Sequence, residues 1–332
     1  MEQTGVGEMG DDGTLPAAVL SRLRCPTCGS PVIALSGDRG VECRKGHRYD
    51  RVGGVLDFSG VASPNGSTER TFASFGYEWN AFDDVRREDE SFAEVYFRDL
   101  DLDSLKGKIG LDAGCGKGRY TRFLAEHLDA EVALDGSSAV EAAARNLADI
   151  AGTAVVRSDL RDAPFAPESF DFISSLGVLH HLDDPFAGFK QLLTYLAPDG
   201  QILLYLYSRP DTVNVRSIAL SGSHALRKIT TRLSHPLLKS LSTPIAAVLW
   251  WTFVKPGEWG EDHRVGVLAD LPMYGYRRKP FRSLVLDTFD RLSAPVEHRY
   301  VWSELQKWFD DTGLVVDASR EETGWFVLAH RP

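Results

Sequence analysis

Short apolar runs alternate with helical patterns between residues 108 and 207. The apolar runs have the length of strands, and in chain order they read IGLDAG, AEVALDG, TAVVRSD, FDFISSLG and QILLYLYS. The segments between them, such as SSAVEAAARNLADI, have the composition and spacing of helices. Strands that alternate with helices form βαβ units around a parallel sheet. The pattern therefore predicts an α/β fold with a doubly wound, Rossmann-like sheet.

The flanking segments divide the chain into five predicted regions. Residues 1–20 form a polar, glycine-rich tail that we expect to be disordered, and residues 21–60 form a compact unit rich in cysteine and glycine. Residues 61–207 hold a linker, an aromatic stretch expected to be helical, and the alternating domain. Residues 208–295 interrupt the alternation as an insertion. Residues 296–332 return to the domain with one helix and a hairpin of two strands.

The charge of the chain is acidic and unevenly distributed. Lys and Arg number 37 against 47 Asp and Glu, and the net charge of −10 disfavours a protein that coats nucleic acid. The first 75 residues of the insertion, however, carry twelve cations and five acids. This basic insertion leaves an anionic partner open, and RNA with it.

No targeting or membrane-spanning segment is predicted. The first twenty residues lack the basic flank and apolar core of a signal peptide. The longest apolar run, Pro244 to Val254, is far shorter than the ~20 residues that span a bilayer. Three of the four cysteines lie within nineteen residues, which favours a metal cluster over a disulfide framework. We therefore expect a reduced, cytoplasmic protein.

The first predicted strand of the domain runs into a glycine-rich turn. Residues 109–118 read IGLDAGCGKG, and a helix is predicted to begin near Tyr120. Glycines at such a turn let a ligand approach the backbone at the carboxyl edge of the sheet. Arg119 stands where the dinucleotide fingerprint needs a third glycine, so a nicotinamide cofactor is disfavoured.

Carboxylates follow the next two predicted strands. Asp135 ends the second strand, where it is placed to accept hydrogen bonds from both ribose hydroxyls of a nucleoside. Asp159 follows the third strand, where it can accept from the exocyclic amine of adenine. The loops therefore favour a nucleoside ligand.

These stretches resemble the class I S-adenosylmethionine-dependent methyltransferases, in the branch of small-molecule and quinone methyltransferases. The resemblance is carried by LDAGCGKGRYTRFLA, VALDGSSAVEAAARN, RSDLRDAPFAPESFDFISSLGVLHHLDDP and LLTYLAPDGQILL. It implies S-adenosylmethionine as cofactor. The implied cofactor residues are Asp112, Gly114, Gly116 and Gly118 for the methionine moiety, Asp135 and Gly136 for the ribose, Ser158, Asp159 and Leu160 for the adenine, and Leu176 and Gly177 beside the sulfonium. Cys115 is expected to pack inside the turn rather than to react.

Two adjacent histidines follow the fourth predicted strand, in LGVLHHLDD. Imidazole titrates near neutral pH and can take the proton that a hydroxyl or amine nucleophile loses. We predict His181 as a catalytic base, supported by His180. The alternative, that both histidines only cap and pack the following turn, stays open.

The insertion resembles the lid that many of these enzymes carry after the fifth strand. Its apolar run suits an apolar pocket, and the candidate substrate contacts are Tyr274, Tyr276, Arg277 and His298, with Asp270 and Asp290 as further candidates. If the positive charge is functional, the substrate is anionic or amphiphilic. The alternative is a solvated basic face over a packed helical cap.

Cys25, Cys28, Cys43 and His47 have the spacing of a metal site, Cys-x2-Cys-x14-Cys-x3-His. Three thiolates and one imidazole complete a tetrahedral zinc site without an open position, so we expect a structural zinc ribbon. Iron with the same ligands is less favoured. The motif resembles the ribbon of bacterial rRNA guanine methyltransferases, and also ribbons that pack beside the active site of small-molecule enzymes.

The combined expectation is a methyltransferase that O-methylates a small-molecule biosynthetic intermediate. The first alternative is an rRNA or tRNA base methyltransferase that recognises RNA through the ribbon. The second is a non-catalytic regulatory protein that binds S-adenosylmethionine. The ribbon is only mildly basic, and the paired histidines and long insertion resemble the small-molecule branch, so the small molecule is favoured.

Overall fold

A computed structural model describes residues 15–60, 66–81, 94–210, 226–227 and 229–332. The first fourteen residues of the predicted tail, Phe82 of the aromatic stretch and residues 211–225 of the insertion lie outside the described residues. The strands are β1 (Val32–Ala34), β2 (Gly40–Cys43), β3 (Arg48–Val52), β4 (Val55–Asp57), β5 (Ile109–Ala113), β6 (Ala130–Asp135), β7 (Thr153–Arg157), β8 (Phe170–Leu176), β9 (Leu196–Tyr207), β10 (Val315–Glu321) and β11 (Gly324–His330).

In the described part of the chain these strands form one sheet, in the spatial order β1-β2-β3-β4-β7-β6-β5-β8-β9-β11-β10. The strands from β4 to β9 run parallel, and β11 returns antiparallel between β9 and β10. All five residues of β5 are buried, because helices cover both faces of a parallel sheet. The strand order reverses between β5 and β8, where a doubly wound sheet opens a crevice for a ligand. The predicted α/β fold is confirmed.

Helices of unequal length pack on the sheet and build the insertion. They are α1 (Ala17–Leu20), α2 (Ser67–Ala81), α3 (Arg119–Leu124), α4 (Val140–Asn146), α5 (Pro185–Tyr195), α6 (His235–Leu249), α7 (Lys255–Asp262), α8 (Gly266–Ala269), α9 (Phe281–Ser293) and α10 (Trp302–Thr312), with a π-helical stretch at Trp250–Val254 between α6 and α7. The Asp184 side chain caps α5 by accepting from the N–H of Ala187. Gly313, with a φ of 72°, ends α10.

The cysteine-rich unit is built into the sheet. Its last strand, Val55–Asp57, pairs in parallel with β7. Upstream, Leu23 forms a bridge with Phe165, and the N–H of Arg24 donates to the carbonyl of Pro164 at 2.7 Å. Buried apolar residues of the unit and of the sheet belong to one hydrophobic core. The predicted boundary at residue 60 therefore does not divide the hydrophobic core, which the cysteine-rich unit shares with the parallel strands of the sheet.

The end of the predicted disordered tail is ordered. Ala17–Leu20 form a short helix, and Val19 is fully buried in the core beside Leu23. Nε of Arg22 then donates to the carbonyl of Ser169 at 2.6 Å. The prediction of disorder up to residue 20 is wrong for this stretch, because its stabilising partners lie far along the chain and leave no local signal.

The insertion leaves the sheet and returns to it at one point. Ser208 bridges Tyr300, and the N–H of Tyr300 donates to the carbonyl of Tyr207 at 3.0 Å. The continuous helix His235–Asp262 is 28 residues long, and its most apolar window has a mean hydropathy of 1.3 with 28% of that window buried. By length and composition alone it could cross a membrane, contrary to the prediction from the Pro244–Val254 run.

Candidate active site

A cavity opens at the carboxyl ends of β5 to β8, where the strand order reverses. Nine of the eleven residues predicted to bind the cofactor line it together with His181, and they are Gly114, Gly116, Asp135, Gly136, Ser158, Asp159, Leu160, Leu176 and Gly177. They come from four loops that are separated in sequence, and parallel strands bring those loops to one edge of the sheet.

Two residues predicted to hold the methionine moiety lie outside this lining. Asp112 is buried below the turn, where its carboxylate accepts from Thr121 Oγ1 at 2.7 Å and from Ser174 Oγ at 3.3 Å. Burial raises the pKa of Asp112 to about 6. Gly118 precedes α3 with a φ of 79° and is covered by Leu147. Both residues therefore support the turn and lie outside the cavity lining, and their contact with the methionine moiety stays a prediction.

Gly114 and Gly177 shape the floor of the cavity in different ways. Gly114 has a φ of 91°, and a Cβ at this position would lie 2.3 Å from Cγ2 of Val178. Gly177 has a φ of 83°, and a Cβ there would meet nothing within 4 Å. The space beside Gly177 is thus open to a ligand, as the predicted sulfonium position requires.

Asp135 is held in the cavity wall by the glycine turn and by its own loop. Its Oδ2 accepts from the N–H of Gly116 at 3.0 Å, and its Oδ1 accepts from the N–H and the hydroxyl of Ser137 at 2.8 and 2.7 Å. A carboxylate has about four lone-pair sites, so the fixed group can still accept hydrogen bonds from ligand hydroxyls.

Asp159 is paired with an arginine that the sequence analysis did not assign. Nε of Arg161 donates to both carboxylate oxygens, at 2.9 and 3.1 Å, and its Nη2 donates to Oγ1 of Thr68 at 3.2 Å. The acceptor predicted for adenine is therefore shared with Arg161, and this pair ties the loop after β7 to helix α2.

Helix α2 covers the cavity with an aromatic face. The residues of this helix that line the cavity are Thr71, Phe72, Phe75 and Trp79. The rings of Phe72 and Trp79 lie so close to Gly136 and Gly116 that a Cβ at these glycines would come within 2.3 and 3.0 Å of them. An aromatic helix was expected here from the sequence, but not its place in the site. The available signal was the spacing of three and four residues between the aromatic positions, which puts them on one face. Other lining residues that were not predicted to bind the cofactor are Cys115, Lys117, Arg119, Tyr120, Leu134, Ser137, Val178 and Leu182.

His181 is buried in the cavity wall as a neutral imidazole. Its Nδ1 lies 2.7 Å from the carbonyl oxygen of Val296. Because a carbonyl only accepts, Nδ1 carries the proton and Nε2 keeps its lone pair. Burial lowers the pKa of His181 to about 4. A neutral ring with an unprotonated nitrogen has the protonation state of a general base.

His180 lies behind the cavity wall and does not line the cavity. It is fully buried, its ring centroid is 4.0 Å from that of Tyr207, and among the described residues neither ring nitrogen has a hydrogen-bond partner. Burial holds the pKa of His180 well below its ordinary value. The predicted catalytic support is thereby reduced to packing, with the two imidazole centroids 4.3 Å apart.

Two buried carboxyl groups adjoin these rings. Glu78 lies on α2 and Asp290 on α9, and the hydroxyl of Tyr207 donates to Oδ2 of Asp290 at 3.3 Å. Within the described ranges, Oε2 of Glu78 and Oδ1 of Asp290 are buried without a hydrogen-bond partner. Burial raises the pKa of Asp290 to about 7 and that of Glu78 well above its ordinary value. We call this pair the acidic cluster, and Asp290 connects it to the ring of His180 through Tyr207.

Replacing Asp290 with asparagine is expected to stabilise the fold, and more so at alkaline pH. An unfolded aspartate titrates near ~4, whereas the pKa of the folded group is about 7. Because the folded pKa is raised, this group's contribution to stability declines as pH rises between those values. Asp290→Asn removes the buried charge, so its melting temperature should exceed that of the wild type more at about pH 8 than at about pH 5 in thermal unfolding.

Asp310→Asn is the matched control, because Asp310 is exposed on α10. It should shift the melting temperature by the same small amount at both pH values. A lower melting temperature for Asp290→Asn at the alkaline pH would mean that the ionised carboxylate is stabilised in the fold, against the interpretation above.

Tyr276 and His298 lie near the acidic cluster. The hydroxyl of Tyr276 donates to the carboxylate of Asp287 on α9. The N–H of His298 donates to the carbonyl of His180 at 2.8 Å, and its own Nε2 is buried without a partner among the described residues. These two predicted substrate contacts are therefore close to the site but do not line the cofactor cavity.

Arg277 and Tyr274 are not brought to the site. Tyr274 is 74% exposed. The Arg277 guanidinium is buried in the lid, where it pairs with Glu261 at 2.7 Å and donates to two lid carbonyls. One side chain faces solvent and the other is held within the insertion, and their role in substrate binding stays a prediction. Further described cations of the insertion also pair with acids, namely Arg227 with Glu297, Lys255 with Glu258 and Arg278 with Asp262.

The four predicted metal ligands converge between β1, β2 and β3. The potential ligand atoms of Cys25, Cys28, Cys43 and His47 all lie within 4.8 Å of one another. Sγ of Cys28 and Sγ of Cys43 are 3.7 Å apart, and Nδ1 of His47 is 3.3 Å from the latter. Tetrahedral zinc with sulfur at ~2.3 Å requires sulfur atoms about 3.8 Å apart. The cluster has the dimensions and donors of a zinc site.

Comparisons with known proteins match part of this chain to methyltransferases. Residues 111–204 match the model of a methyltransferase domain family. An uncharacterised protein of Synechococcus is 37% identical over 115 residues, which cover 32% of this chain and 27% of that protein. A ubiquinone biosynthesis O-methyltransferase of Stutzerimonas stutzeri is 25% identical over 201 residues, covering 60% of this chain and 78% of the relative. A solved S-adenosylmethionine-dependent methyltransferase from Mesorhizobium loti has a TM-score of 0.45 at 17% identity, covering 73% of this chain and all of that one.

The family match falls on the strands and loops that build the cavity, from β5 to β9. Residues 111–204 therefore form a methyltransferase domain, as predicted, and S-adenosylmethionine is the cofactor that this domain supports.

Proposed function

We propose that the chain O-methylates a hydroxyl group of a small molecule, with His181 as the general base. The observation that carries the proposal is the state of this residue: it lines the cavity, its Nδ1 proton is committed to Val296, and burial lowers its pKa to about 4. A hydroxyl nucleophile must lose its proton, and a neutral imidazole can receive it.

The cavity residues suit S-adenosylmethionine, which supplies a methyl group on a cationic sulfur when it is bound. Asp135 would accept from the ribose hydroxyls, and Lys117 and Arg119 suit the methionine carboxylate. Phe75 of α2 has its ring centroid 4.8 Å from that of His181. The aromatic face of α2 would keep water away from the base and the acceptor.

The acidic cluster lies outside the cavity lining. Burial raises the pKa of both carboxyl groups, that of Asp290 to about 7, so the cluster does not decide between a neutral hydroxylated acceptor and an anionic or amphiphilic one.

We also propose that Cys25, Cys28, Cys43 and His47 hold a structural zinc ion. All four protein ligands would be used, so the ion would keep no open position for substrate. The hydroxyl of Tyr49 lies 3.2 Å from Sγ of Cys25. It can donate to that sulfur and orient it, as groups beyond the ligands do in metal sites. The ribbon would thereby fix β4 against β7.

The acceptor class can be tested with S-adenosylmethionine that carries a radioactive methyl group. The enzyme is incubated with a small-molecule extract and, separately, with total RNA from the same bacterial cells. We expect label in the small-molecule extract, stable to conditions that cleave esters. Label in RNA alone would support the base methyltransferase instead. Cofactor binding without label in either pool would support the regulatory alternative.

Cofactor binding is expected to depend on Asp135. Hydrogen bonds to a charged group contribute about 1.5–3 kcal/mol, so Asp135→Ala should weaken S-adenosylmethionine binding by about ten- to a hundredfold in calorimetry. Ser137→Ala is the matched control, because it removes one internal bond of Asp135 but keeps the carboxylate. Equal losses in both variants would assign the effect to loop order, and unchanged affinity in Asp135→Ala would remove this residue from the site.

A further inference from the structure

The helix His235–Asp262 carries two apolar faces, and the fold covers one of them. On the covered face, Leu238, Ala246, Trp250 and Val254 are buried, and they pack with buried residues of α9. The opposite face carries what we call the exposed stripe, formed by Leu237, Leu241, Ile245, Val248 and Trp251. No segment among the described residues buries this second face.

The exposed stripe is continuous along the helix. Its members follow one another at spacings of four, four, three and three residues, which keeps them on one side of an α-helix. Val248 is 65% exposed and Trp251 70%. At 1.5 Å per residue the stripe is about 21 Å long, and Trp259 lies exposed further along the same helix. A contiguous apolar patch of this kind marks an interaction surface.

The segment that leads into the stripe and carries it has a net positive charge. From residue 212 to residue 257 the chain contains six Lys and Arg and no Asp or Glu, although the whole protein has a net charge of −10. Arg232, Lys239 and Lys255 are the cations nearest the stripe in sequence, and Lys255 is paired with Glu258 at 2.6 Å. The surface therefore combines exposed leucine, isoleucine and tryptophan side chains with an excess of positive charge.

We propose that the exposed stripe docks on an anionic lipid bilayer, with the helix lying in the plane of the interface. Tryptophan and leucine insert at the boundary between headgroups and acyl chains, and basic residues are attracted to anionic headgroups. A second copy of this chain would instead bring two basic segments together, which opposes pairing. Because the other face is packed against α9, the helix lies along the surface of the protein rather than standing free to cross the bilayer.

This docking would bring the active site to the membrane. Helix α9 packs against both α2 and α6. It also carries Asp290 of the acidic cluster, which accepts a hydrogen bond from Tyr207 of the sheet. A bilayer held against α6 would therefore lie on the outer side of the lid that borders the site. The inference goes beyond the proposed function, and it stands whether or not the acceptor is a hydroxyl.

The test is flotation of the full-length protein with vesicles of phosphatidylcholine alone or mixed with phosphatidylglycerol. The wild type should float with the anionic vesicles, and added salt should weaken this binding. A Val248→Ser, Trp251→Ser double variant should lose about tenfold or more in partitioning, because it removes exposed apolar contacts. Arg232→Gln should lower the preference for phosphatidylglycerol while leaving the fold intact.

The matched control is an Ile33→Ser, Val52→Ser double variant, since these ribbon residues are 66% and 73% exposed but lie outside the stripe. It should bind vesicles like the wild type. Melting temperature and S-adenosylmethionine binding should be unchanged in both double variants, which excludes unfolding. Absence of wild-type flotation would overturn the proposal. So would concentration-dependent dimerisation, in sedimentation, that the Val248→Ser, Trp251→Ser variant abolishes without any wild-type binding to vesicles.

Discussion

Replacing His181 with alanine is expected to lower the rate of methyl transfer by about 10²- to 10⁴-fold, the contribution of a positioned general base. The ring supplies the unprotonated Nε2, and alanine leaves neither a base nor a donor for the carbonyl of Val296. Affinity for S-adenosylmethionine should change little, because the ribose and adenine residues stay in place. The measurement is the initial rate of label transfer to the small-molecule extract, with cofactor affinity measured alongside.

His127→Ala is the control for this substitution, because His127 follows α3, packs beside Phe123 and lies outside the cavity lining. It should retain the wild-type rate. His181→Gln restores polarity without a base of comparable strength, so it should regain stability but not rate. A wild-type rate in His181→Ala would leave packing of the turn as the role of this histidine.

The pH dependence of the wild-type rate should show that the neutral form of His181 is the active one. The active form of His181 is neutral, and its pKa is about 4, so the rate should stay level across neutral pH and fall only toward that value. An unfolded histidine titrates near ~6.5. The stability that the neutral buried ring contributes is therefore present above about 6.5 and declines as pH falls to about 4. Thermal unfolding at each pH separates this loss from loss of the base. Asp290, with a pKa of about 7, titrates in the same range, so a limb near the ordinary pKa of histidine that persists in Asp290→Asn would contradict the lowered pKa of His181.

Removal of the metal ligands is expected to give the largest loss of stability. Structural zinc contributes about 10–16 kcal/mol of apparent binding energy in small zinc peptides. Here the loops that carry the four ligands lie next to β1, β2 and β3, and β4 follows these strands in the chain. A Cys25→Ser, Cys28→Ser double variant should lose the metal and melt at a much lower temperature. It should also bind S-adenosylmethionine more weakly, because β4 precedes the helix α2 that covers the cavity.

Metal analysis, thermal unfolding and calorimetry measure these three effects. Wild-type protein should contain about one zinc per chain. Cys115→Ser is the control, because Cys115 lies in the glycine turn away from the cluster, and this variant should keep the metal. A metal-free wild type whose stability equals that of the double variant would contradict the zinc proposal.

The cofactor loops could be predicted because local pattern and position in the fold act together there. Gly114, Asp135 and Asp159 each follow an apolar strand, and parallel strands carry their carboxyl ends to one edge whatever the rest of the chain does. The metal cluster was likewise readable from the spacing of its four ligands. Both features depend on short-range order and on a fold whose topology the alternation specifies.

The positions that the sequence did not predict are those of residues whose environment is set by distant segments. Asp112 was assigned to the ligand because it adjoins the glycine turn, but Thr121 and Ser174 draw its carboxylate beneath the turn. Arg277 was assigned to the substrate because of its charge, yet Glu261 and lid carbonyls bury it. The pairing of Arg161 with Asp159, and the orphaned oxygens of Glu78 and Asp290, depend on packing of α2 and α9. No periodicity in the sequence reports such packing.

The parallel pairing of β4 with β7 also constrains the order of events during synthesis. Arg157 of β7 bonds to Asp57 of β4 across 100 positions of chain. The loops that carry the metal ligands are complete at residue 47, long before β7, the strand that pairs with β4, has emerged from the ribosome. The edge of β4 cannot pair until β7 has been synthesised, which is about half of the methyltransferase domain later. Closing the long loop between β4 and β7 slows folding. The nascent ribbon therefore spends an interval with a free strand edge, and binding of metal during that interval would hold its loops together until β7 arrives.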